Sequence, residues 1–461
     1  MKDREPLKDS PTRSYLAWLL IAGTLLLICI GFLYRRAHKD TGSSAEHVAA
    51  SNVSVRLRPV TNSPRARAIT ELGHSAEEIV AAKVTQFARN RRKLAHDIAA
   101  KAQKDFPPEF ERFFDAAEAG RIEEMQAIYK SLRQQRENGA SESWYGPHWS
   151  ALSETLGVVE AARDWPAQRL LDYGNSVLGA LRPGMVYAGG TDSGRFIPTL
   201  LNETSDGDHH VILTQNALAD GTYLEYVGSL YGDQLKTLSK QDSERAFSEY
   251  LKDAQQRFAH DQQFPDEPKQ LRPGEDVRVT DNRVRVSGQV AVMSINEKLF
   301  QMLMQNNPGV SFAIEESFPF RSTYANATTL GPVMELGLQD DQSALSPARA
   351  AEAIDYWHAT AQDLISDPNA GLETLKAYSK MVLSQAGLLQ ARNFPGEAEE
   401  AFRIANEICP SNPEAVSRYV SVLVDQQRVP DAINVVQNAL VAAPNEKQFN
   451  ELLNALQNKK P

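Results

Sequence analysis

The chain has 461 residues, 42% apolar and 23% charged, with a formal net charge of −10. This is ordinary globular composition with length for two or three domains, and an acidic balance argues against a body that neutralises nucleic-acid phosphates. Of two cysteines, Cys29 lies in the most apolar segment and Cys409 near the C-terminus; a bridge between them would tie that segment to a distant domain, so the body is read as disulfide-free, which suits either side of a bacterial membrane.

Residues 1–14 form a polar tail. Tyr15–Tyr34 (YLAWLLIAGTLLLICIGFLY) carries no charge over twenty residues. As a helix that length crosses a hydrocarbon layer of roughly 30 Å, with Tyr15, Trp18 and Tyr34 near the interfaces. No small-residue cleavage site precedes Arg35-Arg36, so an uncleaved transmembrane helix is preferred to a signal peptide. Lys2, Arg4, Lys8 and Arg13 before the span nearly balance Arg35, Arg36 and Lys39 after it, and charge alone leaves the orientation open. Residues 35–68, rich in Ser, Thr, Asn, Arg and Pro, read as a linker.

A helical region is expected over 69–150. Ile79, Val80, Val84, Phe87, Leu94 and Ile98 recur at three- and four-residue spacing along Glu77–Lys104, and Pro107-Pro108 ends that run. The run Arg89-Asn90-Arg91-Arg92-Lys93 reads as a solvated helix face. Phe110–Ala119 and Ile122–Leu132 should form a helical hairpin pivoting on Gly120, because a helix end needs a left-handed residue. A loop is expected over Gly139–Trp149.

The pattern over 151–345 alternates helices with short apolar runs. A helix over Trp165–Leu181 leads to a strand at Met185–Gly190. The loop Thr191–Arg195 opens a helix from Phe196, a second strand covers Val211–Thr214, and another helix covers Thr222–Leu230. Helices over Glu244–His260 and Ala291–Gln305 precede a third strand, Val310–Ile314. This alternation predicts a Rossmann-like parallel-sheet domain, α/β in class.

Residues 346–461 are read as all-α. Ala398, Phe402, Ala405 and Pro410 recur 34 residues later as Ala432, Val436, Ala439 and Pro444. Small-large-small-Pro at that period predicts tetratricopeptide (TPR)-like helix pairs, with a capping helix over Phe449–Leu456.

Motifs for metal binding, phosphate binding or nucleophilic catalysis are absent from the sequence, no cofactor is expected, and catalytic residues are unknown. His209-His210 would face opposite ways in a strand and read as ordinary histidines. One constellation stands out, because open parallel sheets bind ligands beyond the carboxyl ends of their strands. The ligand-binding candidates there are Thr191, Asp192, Ser193 and Arg195 after the first strand, Asn216 and Asp220 after the second, and Glu315 and Glu316 after the third. Gly189, Gly190 and Gly194 could aim backbone amides at an anion. The competing reading is that these residues are turns and helix caps.

Through GMVYAGGTDSGRFIPTLL, TQNALADGTYLEYVGSLYGD and SFAIEESFPF, residues 151–338 resemble the soluble domain of bacterial protein O-mannosyltransferase-like membrane proteins. The resemblance implies an extramembrane fold on the periplasmic side. It does not imply sugar transfer, since that machinery is expected in the many spans this chain lacks. The function expected is therefore a single-pass membrane protein, anchored in the lipid bilayer by Tyr15–Tyr34, that binds a protein or peptide partner through its TPR-like repeats. The alternative is an enzyme or accessory factor acting on glycan or lipid-linked sugar through the strand-end carboxylates.

Overall fold

The computed structural model describes residues 73–138, 142–280, 283–337 and 344–458. The expected span and linker lie outside these residues; among those described, no helix is long and apolar enough to cross a membrane. The described chain is mostly helical, with one small mixed sheet of five strands.

Helices α1 (Ala76–Lys101), α2 (Pro108–Glu118), α3 (Ile122–Glu137) and α4 (Glu142–Asp164) come first. Ser75 starts α1 with a reciprocal capping box to Glu78, which satisfies donors a helix start otherwise strands. Gly120 takes a φ of +67° between α2 and α3, as expected of the pivot. Helix α4 begins inside the stretch read as a loop. The arginine run is a solvated face only in part, with Arg89 and Lys93 exposed. Arg91 is buried, its Nε donates to Glu154 at 2.8 Å, and it pairs with Glu203 as well. Arg89 and Arg92 both bind Glu118. Those carboxylates lie on α2, on α4 and just ahead of residue 204, far from the run in sequence, so nothing local reveals the pairing.

Helix α5 (Ala167–Ala180) then leads to β1 (Val186–Gly189), α6 (Asp192–Glu203), β2 (Val211–Thr214), α7 (Gly221–Tyr231) and α8 (Lys240–Gln263). A separate antiparallel hairpin, β3 (Asp276–Thr280) with β4 (Arg283–Ser287), precedes α9 (Gln289–Asn306) and β5 (Phe312–Glu315). Strands β1, β2 and β5 pair in parallel and in register, Val186 beside Val211 and Phe312. Every residue of these three strands is buried, so both faces of the sheet are covered.

The sheet is not purely parallel. A hairpin of β6 (Ala327–Leu330) and β7 (Val333–Leu336) adds to β5 with β7 antiparallel, giving the order β2-β1-β5-β7-β6. Its tight turn is Gly331-Pro332, where Gly331 has a φ of +53°. A two-residue link allows only antiparallel return, which is why the parallel expectation fails at this edge.

The C-terminal part is helical as expected: α10 (Pro347–Ser366), α11 (Leu372–Ala391), α12 (Pro395–Ile408), α13 (Pro413–Asp425), α14 (Val429–Ala442) and α15 (Lys447–Asn458). Asn393 and Gln427, 34 residues apart, both take left-handed φ values, 64° and 63°. Each ends its helix with the same two bonds. Phe394 N donates to Leu389 O at 2.9 Å and Asn393 N to Gln390 O at 3.3 Å; Arg428 N donates to Leu423 O at 2.8 Å and Gln427 N to Val424 O at 3.0 Å. This is the Schellman ending, which reverses the chain into the next helix. Ala398, Phe402, Ala405, Ala432, Val436 and Ala439 are all buried, as a small-large-small contact requires.

Candidate functional site

The carboxyl ends of β1, β2 and β5 form a crest, and its chemistry follows from three glycines. Gly189 ends β1 and Gly190 follows. A Cβ on Gly189 would meet Gly194 O at 2.3 Å; one on Gly190 would meet Ser317 N at 2.2 Å and Gln215 Oε1 at 2.4 Å. A Cβ on Gly194 would lie 2.0 Å from Glu315 Oε2. With the glycines in place, the loop closes around the Glu315 side chain. Gly190 N and Thr191 N donate to Glu315 Oε2 at 2.9 and 2.8 Å. Thr191 caps α6 by accepting from Gly194 N at 2.9 Å. The backbone amides expected to hold a ligand's anion are thus taken by the protein's own carboxyl group. Burial raises Glu315 above its ordinary value, against the pull of the Thr191 and Gly190 amides. Its Oε1 is buried without a hydrogen-bond partner among the described residues.

Gln215, buried at the end of β2, locks the next gap. Its Nε2 donates to Phe318 O at 2.8 Å, and its Oε1 accepts from Ser317 N at 2.8 Å and Ser317 Oγ at 3.0 Å. Glu316 points away from Glu315, as successive residues leaving a strand do. It is 1% exposed. Its Oε1 accepts from Phe320 N at 2.9 Å and its Oε2 from Tyr324 Oη at 2.7 Å. Burial pushes this carboxyl up to about 7, opposed by those two donors and by the charges of Lys380 and Arg418.

The remaining candidates do not join this cluster. Asp192 is 83% exposed and pairs with Arg195 at 2.8 Å within one turn of α6. Arg195 lies 4.2 Å from the Phe196 ring centroid, with its Nε buried and unpartnered among the described residues. Ser193 is half-buried in the first turn of α6, and Asn216 is exposed on a short 3₁₀ turn, Gln215–Ala217. Asp220 caps α7 by accepting from Thr222 N at 2.8 Å. Residues with these roles are ordinary helix starts. No group of three or more His, Cys, Asp or Glu able to hold a metal ion occurs among the described residues.

The helical array completes the crest from the other side, which sequence reasoning does not reveal. Ser384 Oγ of α11 reaches Glu316 O at 3.4 Å, and Arg392 Nη1 donates to Ala325 O at 2.8 Å and Ala327 O at 3.1 Å. Gln385 Nε2 donates to Gly331 O and Val333 O at 2.7 and 2.9 Å. Lys380 and Arg418 each bind Glu414 at 2.7 Å. Burial works to raise Glu414, but the charges of Lys380 and Arg418 bring it down to about 2. Lys380 and Glu414 are 34 residues apart, as are Ser384 and Arg418; Ser384 meets the crest directly, and the charges of Lys380 and Arg418 act on Glu316 there. A shallow cleft of about 510 Å³ lies at the opposite, amino end of the strands, lined by Leu181, Pro183, Gly184, Asp208, His209 and His210. Both histidines there contact backbone carbonyls, His209 with Ser205 O and His210 with Met185 O.

No protein-family model, curated protein or solved structure matches the chain.

Proposed function

We propose that the protein is a scaffold, anchored in the bilayer by Tyr15–Tyr34, whose C-terminal helix pairs are TPR-like and bind a protein or peptide partner. The observation that carries this reading is the 34-residue repetition of backbone geometry at Asn393 and Gln427, with buried alanines at matching offsets. Stacked helix pairs of this kind build extended concave surfaces suited to a peptide. The Rossmann-like part serves as the rigid base on which α11 is seated. The crest supports this division of labour, because Glu315, Glu316 and Gln215 are spent on the chain's own backbone. A sugar-processing role for the same crest is the weaker reading, since Asp192 and Asp220 are surface residues engaged at helix starts. The proposed body is periplasmic, a reading supported by the family resemblance alone. An export-dependent reporter fused after Pro461 should therefore be active, and activity of a cytoplasm-only reporter would reverse the orientation.

The test of the scaffold reading is co-purification from detergent-solubilised membranes. A partner retained by the wild-type chain should be lost from Ser421→Arg, on the exposed side of α13, and kept by Arg195→Ala at the crest. Loss from the crest variant with retention by the array variant would overturn the reading.

A further inference from the structure

Cations and carboxyl groups are paired unevenly at the junction between the strand crest and the helical array. Two cations, Lys380 on α11 and Arg418 on α13, face two carboxyl groups, Glu414 on α13 and Glu316 on the crest. In the structure both cations are bound to Glu414 at 2.7 Å. Glu316 forms no ion pair within 4 Å among the described residues and is served only by Phe320 N–H and Tyr324 O–H. Gly387 of α11 leaves the space: a Cβ there would lie 3.8 Å from both Arg418 Nη1 and Tyr324 Oη. Arg418 and the phenol that holds Glu316 therefore approach the same point of α11.

We propose that Glu316 is a proton-operated latch: neutral, it leaves both cations to Glu414, and ionised, it draws them toward the crest and loosens the first turn of α13. Glu414 occupies that first turn, so any charge taken from it acts on the helix start. The groups facing Glu316 are Tyr324 on the crest, with Arg321 close to that phenol, Lys380 on α11, and Arg418 with Glu414 on α13. Glu315 lies on the other side, held by the Gly190 and Thr191 amides. Burial sets the titration of Glu316 at about 7, so the latch operates near neutrality. An ordinary surface glutamate would be ionised throughout that range.

Hydrogen exchange of the full chain in detergent, corrected for the intrinsic pH dependence of exchange, tests it from about pH 5.5 to about pH 8.5. Opening of the amides of Ala415–Tyr419 should speed about threefold or more across a midpoint near neutrality. In Glu316→Gln that transition should vanish. Tyr324→Phe removes a donor that favours the ionised carboxyl, so the midpoint should move upward. A transition that persists in Glu316→Gln, or a wild-type chain with none, overturns the latch. A midpoint unmoved by Tyr324→Phe removes Glu316 as its titrating group.

Discussion

Alanine in place of a helical glycine ordinarily stabilises by about 0.5–1 kcal/mol, because glycine has more backbone freedom to lose. Gly194, in the first turn of α6, should reverse that sign. An added Cβ would sit 2.0 Å from Glu315 Oε2 and 2.9 Å from Thr191 Oγ1. Relief requires the carboxyl to swing away, yet Gly190 N and Thr191 N hold it at 2.9 and 2.8 Å, and Thr191 Oγ1 is the cap of α6. Leaving such buried groups unpaired costs about 1–3 kcal/mol each. Against the helix gain, Gly194→Ala should lose about 2 kcal/mol or more. Gly179 of α5, with nothing within 4 Å of its Cβ position, is the internal control, and Gly179→Ala should gain about 0.5–1 kcal/mol. Urea unfolding followed by circular dichroism reads both. In a double-mutant cycle, truncating Glu315 to alanine should lessen the harm done by Gly194→Ala. If Gly194→Ala stabilises as much as Gly179→Ala, the closed crest is wrong.

Three other outcomes follow from the same packing. Ala405 is fully buried between helices, so Ala405→Leu should cost about 1–3 kcal/mol by overpacking, read by the urea midpoint against Ala442→Leu on an exposed position. Gln427→Gly should stabilise by about 1 kcal/mol, read as a higher urea midpoint, since the left-handed conformation strains any residue with a Cβ; a loss would mean that the Gln427 side chain holds the turn. Glu316 is an acid whose folded value is raised from 4.5 to about 7, so the native state binds the extra proton between those values and its contribution to stability falls as pH rises. The full effect is roughly 3 kcal/mol, and Glu316→Gln should flatten that part of the pH–stability curve.

The parts of the fold legible in the sequence are those written in local pattern. The strands β1, β2 and β5, the Gly120 turn and the 34-residue spacing of buried alanines each leave a periodic or compositional mark. The β3–β4 hairpin carries one too, in the alternation Val277-Arg278-Val279 and Val284-Arg285-Val286, although the chain-order reading places no strand there. What stays hidden is long-range. Gly190 and Gly194 look like an anion cradle because small residues beside a helix start serve that role in many proteins. Only the position of Glu315, more than a hundred residues on, shows that the cradle is filled from within. Arg91 similarly looks like one of a row of surface cations until α4 and the end of α6 supply its carboxylates. The seating of the helical array on the sheet rests on Gln385 of α11 reaching the β6–β7 turn and Arg392 reaching the carbonyls at the start of β6, contacts with no sequence pattern at all.

In the proposed scaffold, partner contact falls on the helical array and not on the strand crest. Site-specific photocrosslinking in intact membranes tests it most directly, with the reactive side chain placed at exposed Ser421 on α13, or at exposed Asn216 on the crest. Such a scaffold should give discrete protein adducts from position 421 that disappear when Ala405→Leu disrupts the helix pair, and no specific adduct from position 216. Specific adducts from position 216, with none from 421, would contradict it.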